Sequence, residues 1–325
     1  MPHWSRRALV LAAAAALTTG VAAPATAATP TPKSPVATGF GGAVASIDAD
    51  ATAIGTKVLR DGGNAVDAAV AVAAALGVTD PFSAGIGGGG FFVFYDASTG
   101  RIRTLDGRET APKTADENLF VENGKALPFA DAVTSGLGVG VPGTPATWSD
   151  AVRKWGTRPL AKLLKPAENL ARNGFVVDQT FQTQIANNAA RFSAFPSTRS
   201  LYLPGGTPPA PGTVFKNPDL ASTYAELERK GTGALYSGPI GADIAKTVQK
   251  PPVDPASTLN VRPGKLTASD IAAYQTIERK PTHMTYRGLD VYGMPAPSSG
   301  GLTVGEALNI LENFEIGRAS CRERV

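Results

Sequence analysis

The sequence predicts a mixed α/β (α+β) fold, on three observations. An Ala/Val-rich segment sets Val66, Ala69, Val70, Ala73 and Leu76 at helical spacing. A run of aromatics at 91–95, a Ser98-Thr99-Gly100 turn and residues 101–106 read as a pair of strands. Beyond them, capped helical stretches alternate with loops rich in Pro and Gly. Composition is that of a globular chain. No internal repeat and no linker-like stretch interrupts the middle, so residues 39–314 are read as one large domain.

The elements follow in order. Residues 50–60 form a first helix, ended by Asp61-Gly62-Gly63 because glycine tolerates the left-handed cap conformation. Asn64 caps the next helix, with Asp67 three residues later at the positive end of its dipole. Alanines fill the gaps between its larger residues, which suits a helix packed on several sides, and Gly77 is expected to stop it. The run Gly85-Ile86-Gly87-Gly88-Gly89-Gly90 has two readings. A glycine loop can cradle a phosphate, but such a loop opens a helix and this one leads into a strand. The favoured reading is that the glycines let one stretch of backbone pass close to another.

Arg108 lies just past the second strand. Beside Glu109, such an arginine is ordinarily solvated or structurally paired; a functional one would offer its planar fork to a carboxylate. Asp80, Asp106 and Glu109 are candidates for acid–base work, read as structural because no nucleophile lies nearby. Further on, helices are expected at 162–172, where Pro166 interrupts or restarts the helix, and at 179–191, 218–230, 241–249, 268–274 and 302–314. Loops fill 203–213 and 251–255. Strands at 283–286 and 289–294 turn about Arg287-Gly288, and residues 295–301 form a rigid turn.

Residues 1–27 read as a cleavable secretory signal, with Arg6 and Arg7 before an apolar run and Ala25-Thr26-Ala27 at the cleavage site. A membrane anchor is the alternative, but the run is alanine-rich and shorter than the roughly 20 residues of a span. The Arg6-Arg7 pair leaves general and twin-arginine export both open. A secreted, extracellular bacterial protein is expected, with a disordered Pro/Thr-rich lead at 28–38 and no membrane span once the signal is removed.

Residues 315–325 shift abruptly in composition, and their back-translation resembles a sequencing-library adapter. They are expected to be a non-native tail, a natural but unusual terminus being the alternative. The only cysteine, Cys321, lies in this tail, so disulfides and cysteine catalysis are not expected. Without the five arginines and two glutamates of the signal and tail, the net charge falls from +4 to +1. With no basic stripe either, nucleic acid is not an expected partner. The histidines are His3 and His283, too few for a zinc or Ser-His-Asp site.

The chain resembles the large subunit of gamma-glutamyltransferases (gamma-glutamyltranspeptidases). The motifs are Gly62-Gly63-Asn64-Ala65-Val66-Asp67-Ala68-Ala69, Pro81 with Gly85–Gly89, and Arg108-Glu109-Thr110-Ala111-Pro112. Val141-Pro142-Gly143-Thr144, Pro166–Ala171 with Gly174-Phe175, and Pro297-Ser298-Ser299-Gly300-Gly301 follow in the same order. The likeness runs from about residue 41 to 314. It implies an N-terminal-nucleophile hydrolase αββα sandwich, here incomplete because the small-subunit part is missing. It also implies a precursor that cleaves itself before a threonine, which then leads the small subunit. The threonine hydroxyl attacks the gamma-amide of a donor such as glutathione, its own amine serving as base. The acyl-enzyme passes the glutamyl group to water, an amino acid or a peptide. The resemblance assigns the grip on the donor α-carboxylate to Arg108 and calls for no metal or organic cofactor.

The nucleophilic threonine itself has no candidate here. Thr282-His283 matches its local context but precedes the Pro297–Gly301 motif, and it is read as a strand residue. A C-terminally truncated, inactive large subunit is therefore expected. A related cephalosporin acylase, a poly-gamma-glutamate depolymerase, or a secreted non-catalytic anion-binding protein are the alternatives.

Overall fold

The helix Ala65–Thr79 is the axis of the computed structural model, which describes residues 38–316. The signal at 1–27, the lead up to residue 37 and the tail beyond residue 316 lie outside the described residues. The axial helix is buried along most of its length, as its alanine-filled pattern requires. Its N-terminus is a complete capping box: the Asn64 side chain accepts from the Asp67 N–H and the Asp67 carboxylate from the Asn64 N–H. The preceding helix, Ala49–Arg60, ends where Gly62 takes φ +83°.

Gly77 does not stop the axial helix, which runs on to Thr79. A Cβ at Gly77 would sit 2.8 Å from the Tyr224 hydroxyl, which donates to the Ala74 carbonyl at 2.7 Å. The glycine serves close packing here. Pro166 likewise interrupts nothing: Leu160–Asn173 is one helix, carried through the proline by the burial of Leu163, Leu164, Ala167 and Ala171.

Helices Ala49–Arg60, Leu160–Asn173 and Thr144–Trp155 pack on the axis, and Pro218–Lys230 packs on Leu160–Asn173 while its Tyr224 reaches the Ala74 carbonyl. Thr144–Trp155 also covers one face of the antiparallel hairpin Gly90–Asp96/Arg101–Gly107, whose register runs from Gly90↔Gly107 to Asp96↔Arg101. Phe92 and Phe94 lie on Trp155 within this layer. The short strand Ile277–Glu278 extends the sheet beyond Arg101–Gly107, which leaves Gly90–Asp96 as an edge. Val93 and Tyr95 point away from the helices and are exposed. An aromatic cluster of Phe82, Phe175, Phe181, Tyr202 and Phe215 closes the far end of the core.

The predicted helices at 179–191, 218–230 and 241–249 appear as Gln179–Ser193, Pro218–Lys230 and Pro239–Gln249. Asn217 caps the second, with Pro218 at its first position. The capping box Thr267/Asp270 opens Ala268–Ala272, two residues shorter than expected. Strands Thr282–Tyr286 and Leu289–Gly293 turn about Arg287 and Gly288, both at positive φ. The last helix among the described residues is Gly300–Leu311.

Candidate functional site

Three backbone segments meet at the end of the hairpin. They are the glycine run, the chain leaving strand Arg101–Gly107, and the turn 140–144. A Cβ on Gly89 would lie 2.6 Å from the Gly107 carbonyl and 2.7 Å from the Glu109 nitrogen. One on Gly143 would lie 1.9 Å from the same carbonyl. The glycines therefore do what the favoured sequence reading asked: backbone passes against backbone. Thr110 bridges Val141, whose N–H donates to the Thr110 carbonyl at 2.9 Å.

The first turn of helix Thr144–Trp155 leaves no donor for an anion. The Gly143 and Thr144 N–H groups donate to the Gly88 carbonyl at 2.8 and 3.0 Å. Pro145 has no N–H, and the Ala146 N–H donates to the Tyr236 hydroxyl at 3.1 Å. The orphan donors that make helix starts attract phosphate are all used internally. Gly88 N–H itself donates to Gly85. Nothing at this point of the fold favours the anion-binding alternative.

Arg108 stands on this platform. Its backbone is held at both ends: its N–H donates to Asp106 Oδ1 at 3.0 Å, and its carbonyl accepts from the Tyr274 hydroxyl at 2.8 Å. Its side chain is exposed, and among the described residues its guanidinium has no hydrogen bond or ion pair, to Glu109 or to any other group. Of the two ordinary readings of an arginine beside a glutamate, structural pairing is removed.

Asp106 is buried; its Oδ2 accepts from Arg279 Nε at 2.7 Å and pairs with Nη2 at the same distance. Asp80 closes the axial helix, and burial, reinforced by the carboxylates of Asp178 and Asp48, raises its pKa against hydrogen bonds from Ser83 and Gln184. Glu109 is exposed beside Gly88. Thr282 lies in its predicted strand with its hydroxyl packed toward Gly293 and Gly301, and His283 stacks on Tyr292 and meets Asp290 at 2.7 Å. Neither reaches the Arg108 platform. Among the described residues no group of three His, Cys, Asp or Glu side chains gathers to hold a metal, and no helix is long and apolar enough to cross a membrane.

Three residues at the site went unread in the sequence: Tyr236, Tyr274 and Arg279. Tyr236 donates to the Pro142 carbonyl at 2.7 Å and stacks on Tyr274 with ring centroids 5.8 Å apart. Burial raises the pKa of both hydroxyls, so both stay protonated and able to donate. Their partners lie more than ninety positions away in the chain, and no local pattern signals such a role.

Residues 51–324 match the family model described as gamma-glutamyltranspeptidase. The glutathione hydrolase proenzyme of Bacillus subtilis (strain 168) is 38% identical over 285 residues, which cover 87% of this chain and 46% of the relative. The acylase ACY 1 proenzyme of Pseudomonas sp. (strain V22) is 37% identical over 287 residues, covering 86% and 49%. The crystal structure of Helicobacter pylori gamma-glutamyltranspeptidase superposes with a TM-score of 0.81 at 33% identity, covering 88% of this chain and 80% of that one. The chain thus spans about half the length of the curated relatives it matches. The mixed helix-and-strand fold agrees with the N-terminal-nucleophile hydrolase architecture expected from the motifs.

Proposed function

The chain belongs to the gamma-glutamyltranspeptidase family, and from that premise we propose that residues 38–316 form the donor-holding part of a gamma-glutamyl-transferring enzyme. Its donors are glutathione and related gamma-glutamyl compounds, and its acceptors water, an amino acid or a peptide. The observation that carries the reading is Arg108: an unpaired, exposed guanidinium on a backbone fixed at both ends. Such a fork meets a carboxylate bidentately. Gripping the donor α-carboxylate leaves the gamma-carbonyl to face the nucleophile, and fixing that one orientation lowers the barrier.

The nucleophile is assigned to a threonine outside this chain, released as the first residue of a small subunit when a longer precursor cleaves itself. The free amine takes the hydroxyl proton and backbone N–H groups stabilise the oxyanion. Thr282 is no substitute, because it lies within a strand and its hydroxyl is packed against glycine backbone. The 325-residue chain alone therefore does not turn over, and gamma-glutamyl transfer by it would sink this assignment. The signal-like pattern of residues 1–27 supports an enzyme exported from the cytoplasm.

The test of Arg108 is Arg108→Lys in the longer proenzyme. Lysine keeps the charge and loses the fork, so the KM for glutathione is expected to rise about tenfold with the acceptor KM unchanged. An unchanged donor KM would remove Arg108 from the site.

A further inference from the structure

We propose that Tyr274 and Arg279 are positioning residues that set the reach of the Arg108 guanidinium toward its carboxylate; the inference rests on the role assigned to Arg108 above. A two-point grip depends on where the fork starts as much as on its chemistry, because a misplacement of about 1 Å costs a large share of the orientation gain. Arg108 lies beyond the last ladder pair of its strand, Gly90↔Gly107, so the sheet does not hold it. Side chains from the segment around 274–279 do so instead.

The Tyr274 hydroxyl holds the Arg108 carbonyl at 2.8 Å, and Asp106 holds the Arg108 N–H at 3.0 Å. Asp106 is itself oriented by Arg279, whose Nε donates to Oδ2 and whose Nη2 pairs with the same oxygen, while Oδ1 accepts from the Arg108 N–H. Arg279 is fixed in turn, since its carbonyl accepts from the Thr104 hydroxyl at 2.6 Å. Tyr274 is fixed by its stacking on Tyr236, which is tied to Pro142 at 2.7 Å. Both pins therefore lead back to rigid parts of the fold. Burial, with the nearby carboxylates of Asp106 and Glu109, raises the Tyr274 pKa and keeps its proton available for the Arg108 carbonyl.

The experiment uses the longer proenzyme with two donors, one carrying its α-carboxylate and one carrying an α-carboxamide in its place. Tyr274→Phe keeps the ring and its stacking and removes only the pin. The expected result is a donor KM about fivefold higher for the carboxylate donor, with kcat within about twofold and no change for the carboxamide donor. Arg279→Lys, which keeps the charge beside Asp106 without the fork, is expected to give the same pattern more weakly. An unchanged KM in both variants at unchanged Tm overturns the proposal. So does an equal rise for both donors, because a merely structural defect would not distinguish the α-carboxylate. The two assignments fail separately: Arg108→Lys without effect removes the role of Arg108 and this inference with it. A response to Arg108→Lys but not to Tyr274→Phe or Arg279→Lys removes this inference alone.

Discussion

The axial helix Ala65–Thr79 and the helix Gly300–Leu311, which lies on the hairpin Thr282–Gly293, are both apolar in sequence, yet they meet opposite fates. Val66, Val70, Ala71, Ala74 and Ala75 are each fully buried. Leu302, Val304 and Ile310 are each more than half exposed. Both regions use a glycine for close approach, Gly77 against Tyr224 and Gly305 against Met284. The difference lies in what surrounds them. Helices and a sheet enclose the first, whereas among the described residues the second packs chiefly hairpin against helix. Apolar composition alone does not say which residues are core, because burial needs partners on every side.

Asp67 offers the largest way to break the packed region. Its buried carboxylate accepts from the N–H groups of Asn64, Thr157 and Arg158 and from the Thr157 hydroxyl, joining the axial helix to the turn after Trp155. Asp67→Ala strands those donors and should cost about 3–5 kcal/mol in denaturant unfolding. A loss below about 1 kcal/mol would mean the turn finds other partners.

The matched pair Gly77→Ala and Gly305→Ala sharpens the contrast directly. The first drives a methyl into a fixed tyrosine hydroxyl and should cost about 1–3 kcal/mol. The second meets only the end of the Met284 thioether, which can swing aside, and the gain in helix propensity offsets the rest. Its expected effect is within about 0.5 kcal/mol. Equal losses in thermal unfolding would show that the two regions are packed alike.

Acid probes the same contacts by titration. Burial opposes ionisation of Asp67, but hydrogen bonds from Thr157, Asn64 and Arg158 outweigh it and hold its pKa below the usual 3.8. For Asp270, hydrogen bonds from Thr267 and Lys113 do the same against its burial. A depressed folded pKa contributes stability above the unfolded value, and that stability is lost as the pH falls through the lower, folded one. Stability of the packed region, read by denaturant unfolding at each pH, should therefore fall as the pH is lowered through 3.8 toward the depressed folded values. Asp67→Asn should flatten that dependence; an unchanged slope would assign it to other carboxylates.

The local grammar was legible. The caps at Asn64, Asn217 and Thr267, the strand pair about Ser98–Gly100 and the hairpin about Arg287-Gly288 follow from side-chain chemistry within four residues. The small hairpin Val121–Glu122/Lys125–Ala126 carries an Asn123-Gly124 turn signal that was present and went unread. Helix Thr144–Trp155 starts at Gly143, which supplies no side-chain cap to announce it. Gly77 and Pro166 misled for one reason: propensity argues for a stop, and tertiary packing carried both helices onward. Arg108 could be singled out only through the family motif, and Tyr274 and Arg279, which help to hold it, lie too far along the chain for any window to join them.

That distance bears on the order of folding. A hairpin such as Gly90–Gly107 closes within microseconds, using neighbours in sequence. The pins on Arg108 come from residues 166 and 173 positions beyond their partners, so they form only after the intervening helices have condensed and the large loop is closed. The molecule can then own a finished core before it owns a finished carboxylate grip. A refolding experiment should see tryptophan burial at Trp148 and Trp155 precede the appearance of donor affinity.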